Sequence, residues 1–361
     1  MLPRLTVRSI RATPVIVPMT YALGTSAATV RDAPLLLVDL ETHEGVTGHA
    51  YQFCYRPVAA LPIVRFLEDM LDAVKDEPIV PADLWSVLSK RYTLMGVQGI
   101  VRMAMALIDV AGWDALAKAA GLPLARFLGA DPRPVPAYNS NGLGLMPPAA
   151  LADQAQKLLA GGFRAVKLRL GYATPGDDLA SVRAVRQRLP DEVAVMVDYN
   201  QALSVDEAIR RARALDNEGV YWIEEPVRHD DFTGCAKVAM AARTPVQIGE
   251  NFSQVHDMQK AIDAGACDYV MPDLERIGGV TGWQRAGALA ARAGLPMSSH
   301  LYPEVSAHLL AATPTAHWLE YVDWMNPLLV SPLTILEGSA IPSDQPGAGL
   351  EWNDEMVRRY A

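Results

Sequence analysis

Three short runs, Val193-Ala194-Val195-Met196-Val197-Asp198, Val220-Tyr221-Trp222-Ile223-Glu224-Glu225 and Val246-Gln247-Ile248-Gly249-Glu250, carry the pattern that decides the fold. Each is apolar and closes on an acid, and Asp198, Glu224 and Glu250 follow one another at intervals of 26 positions. The series begins at Ala165-Val166-Lys167-Leu168-Arg169-Leu170. It continues through Asp268-Tyr269-Val270-Met271-Pro272-Asp273 and Pro296-Met297-Ser298-Ser299-His300 to His317-Trp318-Leu319-Glu320. Polar groups thus recur roughly every 20 to 30 residues, the length of one strand plus one crossover helix. Helical patterns at 151–159, 178–189, 205–218, 232–242, 255–264 and 283–293 fill the gaps. Such alternation predicts a parallel sheet with right-handed crossovers. Seven or eight units close into a TIM-type (β/α) barrel, whose active site lies at the C-terminal strand ends. The charged groups fall there.

Upstream, Asp131-Pro132-Arg133-Pro134-Val135-Pro136-Ala137 places prolines at alternate positions, which forbids a helix and suits an extended connector. Before it, Leu5 to Ile10, Leu35 to Leu40 and Val46 to Tyr51 read as antiparallel strands. Residues 57–129 are mostly helical, and the stretch from Ile100 to Ala120 is apolar almost all round, as a deeply buried helix requires. Tyr21 to Val30 is rich in small residues without a clear period and reads as a mobile loop. The expected fold class is therefore α/β. A modified (β/α) barrel over 131–325 follows an N-terminal α+β capping domain over 1–130, and a C-terminal segment over 326–361 packs back on that domain.

Composition excludes several classes of function. The chain of 361 residues has a formal charge of −9 and no Lys/Arg cluster, which argues against a nucleic-acid partner. Cys54, Cys235 and Cys267 are odd in number and widely spaced, as expected of reduced thiols in a cytoplasmic protein. No apolar run reaches the roughly 18 residues of a membrane span, so no membrane partner is expected.

Adjacent strand ends converge in a barrel, so Asp198, Glu224 and Glu250 share one small volume, where their repulsion calls for a cation. Three oxygen ligands completed by water and substrate suit Mg²⁺. The alternative is that each acid caps the helix after it. Lys167 and Arg169, two apart on one strand, point to the same face and either meet a substrate anion or pair with the carboxylates. Asp273 and His300 end consecutive strands, an arrangement in which the carboxylate fixes the imidazole tautomer and the other nitrogen serves as a base. The remaining histidines, His43, His49, His229, His256, His308 and His317, lack such a setting and read as structural or surface groups. Gly278-Gly279-Val280-Thr281-Gly282 suits either a phosphate loop or a tight strand-to-helix turn.

At these residues the chain resembles the enolase superfamily, specifically its mandelate racemase group. The most specific pieces are Val197-Asp198-Tyr199-Asn200-Gln201, Trp222-Ile223-Glu224-Glu225-Pro226, Gly249-Glu250-Asn251, Ile277 to Gly282 and Ser298-Ser299-His300. The resemblance implies Mg²⁺ on Asp198, Glu224 and Glu250, with His300 as a base oriented by Asp273. It further implies Lys167 on the substrate carboxylate, Asn200 on the α-hydroxyl and Glu320 on the enolate oxygen as an acid. Leu23, Ala27, Val30, Phe53 and Tyr55 would form the capping-domain wall of the pocket, and their apolar character suits a hydrophobic 2-hydroxy acid. A small carboxylate substrate and a homo-oligomer are expected.

One position departs from the pattern. The racemase group carries Lys-x-Lys on the first strand of the series, its second lysine acting as the base opposite the histidine, and here that position is Arg169. Guanidinium, with a pKa above about 12, is a poor base at neutral pH. The expectation is α-proton abstraction through an enediolate. Racemase or epimerase is placed just ahead on whole-chain resemblance and pocket apolarity, with a His300-dependent dehydratase close behind. A non-enzymatic barrel that only binds a carboxylate is the remaining alternative, and the Asp273/His300 pair counts against it.

Overall fold

The computed structural model describes residues 4–25 and 28–361; Ala27, one of the expected pocket residues, lies outside them. The N-terminal part is a three-stranded antiparallel sheet in the order β1 (Val7–Gly24), β2 (Thr29–Thr42), β3 (Thr47–Phe53). Helices α1 (Ala60–Val74), α2 (Pro81–Arg91) and α3 (Gly99–Ala119) pack on it. Spacings of four and three place Ile63, Leu67, Met70 and Val74 on one buried face of α1. Fifteen of the 21 residues of α3 are buried, because it lies between the sheet and the second domain.

The expectation of a loop over Tyr21 to Val30 is corrected. β1 runs to Gly24 and β2 starts at Thr29, with Leu23 paired to Val30 across the hairpin. The ribbon is half-exposed on both faces there, so burial imposes no alternation, and a register shift between Pro18 and Leu23 breaks what period remains. Leu145 N donates to Gly24 O at 3.2 Å. Gly144 allows this approach, since a Cβ on it would stand 2.5 Å from Gly24 O.

After a short helix α4 (Leu124–Phe127), the parallel strands β4 (Val135–Asn139), β5 (Ala165–Arg169), β6 (Ala194–Asp198), β7 (Val220–Glu224), β8 (Val246–Ile248) and β9 (Tyr269–Val270) pair in sequence order. Bridges Val270–Met297 and Met297–Ala316 carry the ring onward, and β10 (Leu319–Tyr321) pairs with β4 to close it. The outer helices are α5 (Pro148–Lys157), α6 (Pro175–Arg188), α7 (Val205–Leu215), α8 (Phe232–Ala241) and α9 (Val255–Asp263). The short α10 (Leu274–Ile277), α11 (Gly279–Ala293) and α12 (Pro303–Ala311) complete the ring. This is a capping domain on a (β/α) barrel. The end of the chain forms a hairpin, β11 (Thr334–Leu336) and β12 (Ser339–Ile341), which extends the sheet beyond β4, then α13 (Asp354–Tyr360). Trp352 Nε1 donates to Asp39 Oδ1 at 2.6 Å and Ala348 N to Asp114 Oδ1 at 2.7 Å, tying this segment to the cap. Among the described residues no helix is long and apolar enough to cross a membrane.

Candidate active site

Asp198, Glu224 and Glu250 are not helix caps. α7, α8 and α9 are preceded by Ser204, Asp231 and Gln254, the first two accepting a backbone N–H. Asp198, Glu224 and Glu250 turn to the barrel axis, where oxygens of all three lie within 4.8 Å of one another. Burial pushes the Glu224 carboxyl up to about 8, with Asp198, Glu320 and Glu250 adding to the rise and Lys167 opposing it. Such a cluster is satisfied by a hard divalent cation, and the all-oxygen donor set fits Mg²⁺.

Lys167 lies among the acids. Its Nζ is 2.5 Å from Glu224 Oε1, 2.9 Å from Glu320 Oε1 and 3.5 Å from Asp198 Oδ2. Burial opposes the charge on Lys167, but Glu224 and Glu320 outweigh it and hold the ammonium protonated. Glu320 is held well below the usual carboxylate range: burial works against this, and Lys167, His300, the Ser140 hydroxyl and the Leu301 N–H prevail. Glu224 and Glu320 share one lysine yet shift in opposite directions. Glu320 accepts from Ser140 Oγ at 2.7 Å and Leu301 N at 2.9 Å, while Glu224 has only Trp222 Nε1 at 3.1 Å and a long contact to Gln247 besides the lysine.

Opposite stands the expected dyad. His300 Nδ1 is 2.7 Å from Asp273 Oδ2, and its Nε2 faces Glu250 Oε2 at 3.5 Å and Glu320 Oε2 at 3.9 Å. Asp273 also caps α10, its Oδ1 accepting from the N–H groups of Glu275 and Arg276 at 2.9 Å each. Burial alone would lower the His300 pKa; Glu250, Glu320 and Asp273 reverse that and raise it to about 9. A cation on Glu250 weakens the first of these attractions.

Arg169 is buried and reaches toward the same region as Lys167; both of its Nη groups are engaged, and its Nε is buried without a partner among the described residues. Nη1 donates to Ser140 O at 2.8 Å and Gly142 O at 3.0 Å, and Nη2 to Ser140 Oγ at 2.9 Å. Asn200 Nδ2 donates to Asp198 Oδ2 at 2.9 Å, and its Oδ1 is buried without a partner. Asn200, Glu225, Leu301 and Tyr302 all have positive φ just beyond strand ends, backbone strain gathered at the barrel mouth.

On the capping side, Phe53 packs on Tyr55 (ring centroids 4.6 Å apart) and on Trp324 (4.7 Å). The Arg276 guanidinium stacks over the Tyr55 ring at 4.7 Å while its Nη1 donates to Glu250 O at 3.0 Å. Phe53 and Tyr55 are thereby joined to the site. Leu23 and Val30 face each other across the hairpin, and among the described contacts nothing ties their side chains to the carboxylate cluster. Ser140, Arg276 and Trp324 were missed from sequence. Ser140 had a usable signal, since it directly follows β4 and so stands at a strand end like the others.

Of the histidines set aside from sequence, His49 pairs with Asp39, and His308 Nδ1 accepts from Ala125 N. The glycine run forms the α10–α11 junction, where Thr281 N donates to Asp109 Oδ1 at 2.9 Å.

A capping domain closed on a barrel whose mouth holds three clustered carboxylates, a buried lysine and an Asp–His pair defines a metal-dependent enzyme of the enolase type. Comparison with known families agrees. Residues 7–129 match the N-terminal domain of the mandelate racemase / muconate lactonizing enzyme family, and residues 150–356 match the enolase C-terminal domain-like family. The chain belongs to this family of the enolase superfamily, whose members are Mg²⁺-dependent, and it is an enzyme of the isomerase or lyase kind. It is similar to an enolase from alpha proteobacterium BAL199 solved with bound Mg, at 44% identity and TM-score 0.97, with 99% of each chain covered. An enolase from Bradyrhizobium complexed with magnesium and mandelic acid is 38% identical, with TM-score 0.95 and coverage of 100% of this chain and 99% of that one. L-talarate/galactarate dehydratase from Salmonella typhimurium is 32% identical over 336 residues, 91% of this chain and 83% of its own length.

Proposed function

We propose that this enzyme removes the α-proton of a 2-hydroxy carboxylate from one face, with His300 as the base, and that the enediolate then expels a β-hydroxyl, making it a dehydratase. The observation that carries this reading is the state of Arg169. Its Nη groups are bonded to Ser140 and Gly142, and a guanidinium is a poor base near neutral pH, so residue 169 supplies no proton acceptor where the racemase pattern has a lysine. Racemisation requires a proton acceptor and donor on both faces; elimination requires only His300, which removes one proton and returns it to the departing hydroxyl.

Asp198, Glu224 and Glu250 would hold Mg²⁺, which when bound supplies positive charge where the second negative charge of the enediolate develops. Lys167 holds the substrate carboxylate and adds a second cation beside it. Asn200, whose Oδ1 has no partner, accepts from the α-hydroxyl. Asp273 keeps the His300 proton on Nδ1 and leaves Nε2 free to act. The assignment of Glu320 as a proton donor is not favoured by its surroundings, which keep it ionised. Lys167 Nζ, 2.9 Å away, is the better donor toward the enolate oxygen.

A second reading, racemisation or epimerisation of an apolar 2-hydroxy acid, is favoured by the aromatic wall of Phe53, Tyr55 and Trp324. Incubation with Mg²⁺ and a panel of 2-hydroxy acids, mandelates and acid sugars in D₂O separates the readings. The dehydratase reading expects 2-keto product from an acid bearing a β-hydroxyl. Enantiomer conversion of a mandelate without product loss supports the second reading, and absence of both 2-keto product and α-deuteration across the panel refutes both.

A further inference from the structure

We infer that the protein has a second anion site, distinct from the carboxylate pocket, in the cleft between α2 and α3 of the cap and the α9 and α10–α11 loops of the barrel, and that it takes a small oxyanion such as a phosphoryl group. The cleft has a volume of about 260 Å³ and is lined by Trp85 and Arg102 from the cap and by His256, Gly278 and Arg285 from the barrel. No acid lines it.

Arg102 makes the case. The residue is only 9% exposed, and among the described residues its one hydrogen bond is a long one from Nε to Val97 O at 3.3 Å. Neither Nη group donates to any described residue, and among those residues no carboxylate lies within ion-pair distance; Asp257 acts on it only from farther off and is engaged by Ser253 and Lys260. The aromatic face of Trp85 sits 5.2 Å from the guanidinium and fixes its plane. Burial without a counter-charge lowers the Arg102 pKa to about 10. A buried cation is costly unless an anion meets it, and a planar fork of free N–H donors beside a cleft is suited to two oxygens of one ligand. Arg285 adds a second cation from the first turns of α11. Gly278 keeps the cleft open, since a Cβ there would meet Arg102 Nη1 and Trp85 at 3.0 Å.

The glycine run is therefore not a phosphate loop in the backbone sense. Asp109 already occupies the N-terminus of α11, accepting from Thr281 N, so side chains and not backbone amides would hold the anion. Gln254 and Ile277, which line the cleft, lie four residues after Glu250 and Asp273, so an occupant would touch the segments that follow both.

The test is calorimetric titration of the full-length Mg²⁺-loaded enzyme at fixed ionic strength with inorganic phosphate, and separately with acetate. One saturable phosphate site is expected, weakened at least about tenfold by Arg285→Ala and by Arg102→Gln and retained in Asp198→Asn. Arg285 is exposed, so its variant remains informative if Arg102→Gln fails to fold. Acetate binding as tightly as phosphate would assign the site to carboxylates within the same oxyanion class. The proposal is overturned if phosphate does not saturate, or if its binding survives Arg285→Ala but is lost in Asp198→Asn, which would place the anion at the metal ligands. It is equally overturned if Arg102→Gln abolishes self-association that phosphate does not compete with, which would make the cleft an interface between copies.

Discussion

Replacing Asp273 by Asn separates the two tasks of that carboxylate. Its Oδ1 accepts from two backbone N–H groups at the start of α10, and its Oδ2 pairs with His300 Nδ1 at 2.7 Å. An Asn carbonyl oxygen can keep both capping bonds, and Asn ranks with Asp as a cap, so the stability cost should stay below about 1 kcal/mol. The amide NH₂ then faces Nδ1 and demands a lone pair there, which moves the imidazole proton to Nε2. That is the atom turned toward Glu250 and Glu320, where the α-proton must be taken up. Losing both the base and the charge-assisted hydrogen bond should lower turnover about 10³- to 10⁴-fold, roughly 4 to 5.5 kcal/mol in the barrier. The assay is 2-keto product formation together with α-deuteration in D₂O, both followed by ¹H NMR under saturating Mg²⁺, beside thermal unfolding of the same samples. A His300→Asn/Asp273→Asn double variant should fall no further than either single one, because the two act as a unit. Exchange within about tenfold of the native rate, at an unchanged unfolding midpoint, would refute the claim that Asp273 sets the tautomer.

Arg169→Lys should introduce a titratable amine opposite His300 and with it deuteration from the second face; a variant that still exchanges from one face only shows that something besides residue 169 withholds racemisation. Mg²⁺ at about 100 times its dissociation constant should stabilise the fold by roughly 2.7 kcal/mol. EDTA should abolish exchange, and an unfolding midpoint that Mg²⁺ leaves unmoved would remove Asp198, Glu224 and Glu250 as its ligands. His308 is buried, which lowers its pKa to about 4, so its folded value lies below its unfolded one near 6.5. Its contribution to stability is therefore present above pH 6.5 and lost as pH falls through about 4, amounting to roughly 3 kcal/mol. Denaturant titrations of native enzyme and His308→Asn, which keeps an acceptor for Ala125 N, should diverge over that window; parallel curves would show that His308 titrates normally.

The barrel was legible because its strands are buried on both faces and end in charge, a pattern set by backbone periodicity and the cost of burying ions. The clustering of Asp198, Glu224 and Glu250 and the Asp273–His300 contact followed from register alone. What sequence could not show depends on contacts between distant segments. The β1–β2 hairpin end was read as a loop because Leu23 and Val30 gain their setting from each other and from the Gly24–Gly144 approach, with no core face to impose a period. Ser140 carries no charge to mark it at the end of its strand, although one side chain contacts both Glu320 and Arg169. Arg276 was not singled out, yet it joins Tyr55 to the loop of Glu250.

The charge balance at the mouth gives a physical reason for an arginine at 169. With His300 in its neutral working form and Glu225 protonated, as burial and Glu250 favour, Asp198, Glu224, Glu250, Asp273 and Glu320 face three side-chain cations, Lys167, Arg169 and Arg276, which leaves two negative charges for a divalent ion to cancel. Without the ion the site sheds charge, as the raised Glu224 carboxyl shows. A lysine at 169 could act as a base only in its neutral form, so a two-base enzyme would carry one positive charge fewer just as the substrate carboxylate arrives. Arginine keeps that charge at every working pH and forgoes the second base. On this reasoning the substitution trades proton transfer on one face for steadier anion binding. An enzyme that removes a hydroxyl can accept that exchange, and one that inverts a stereocentre cannot.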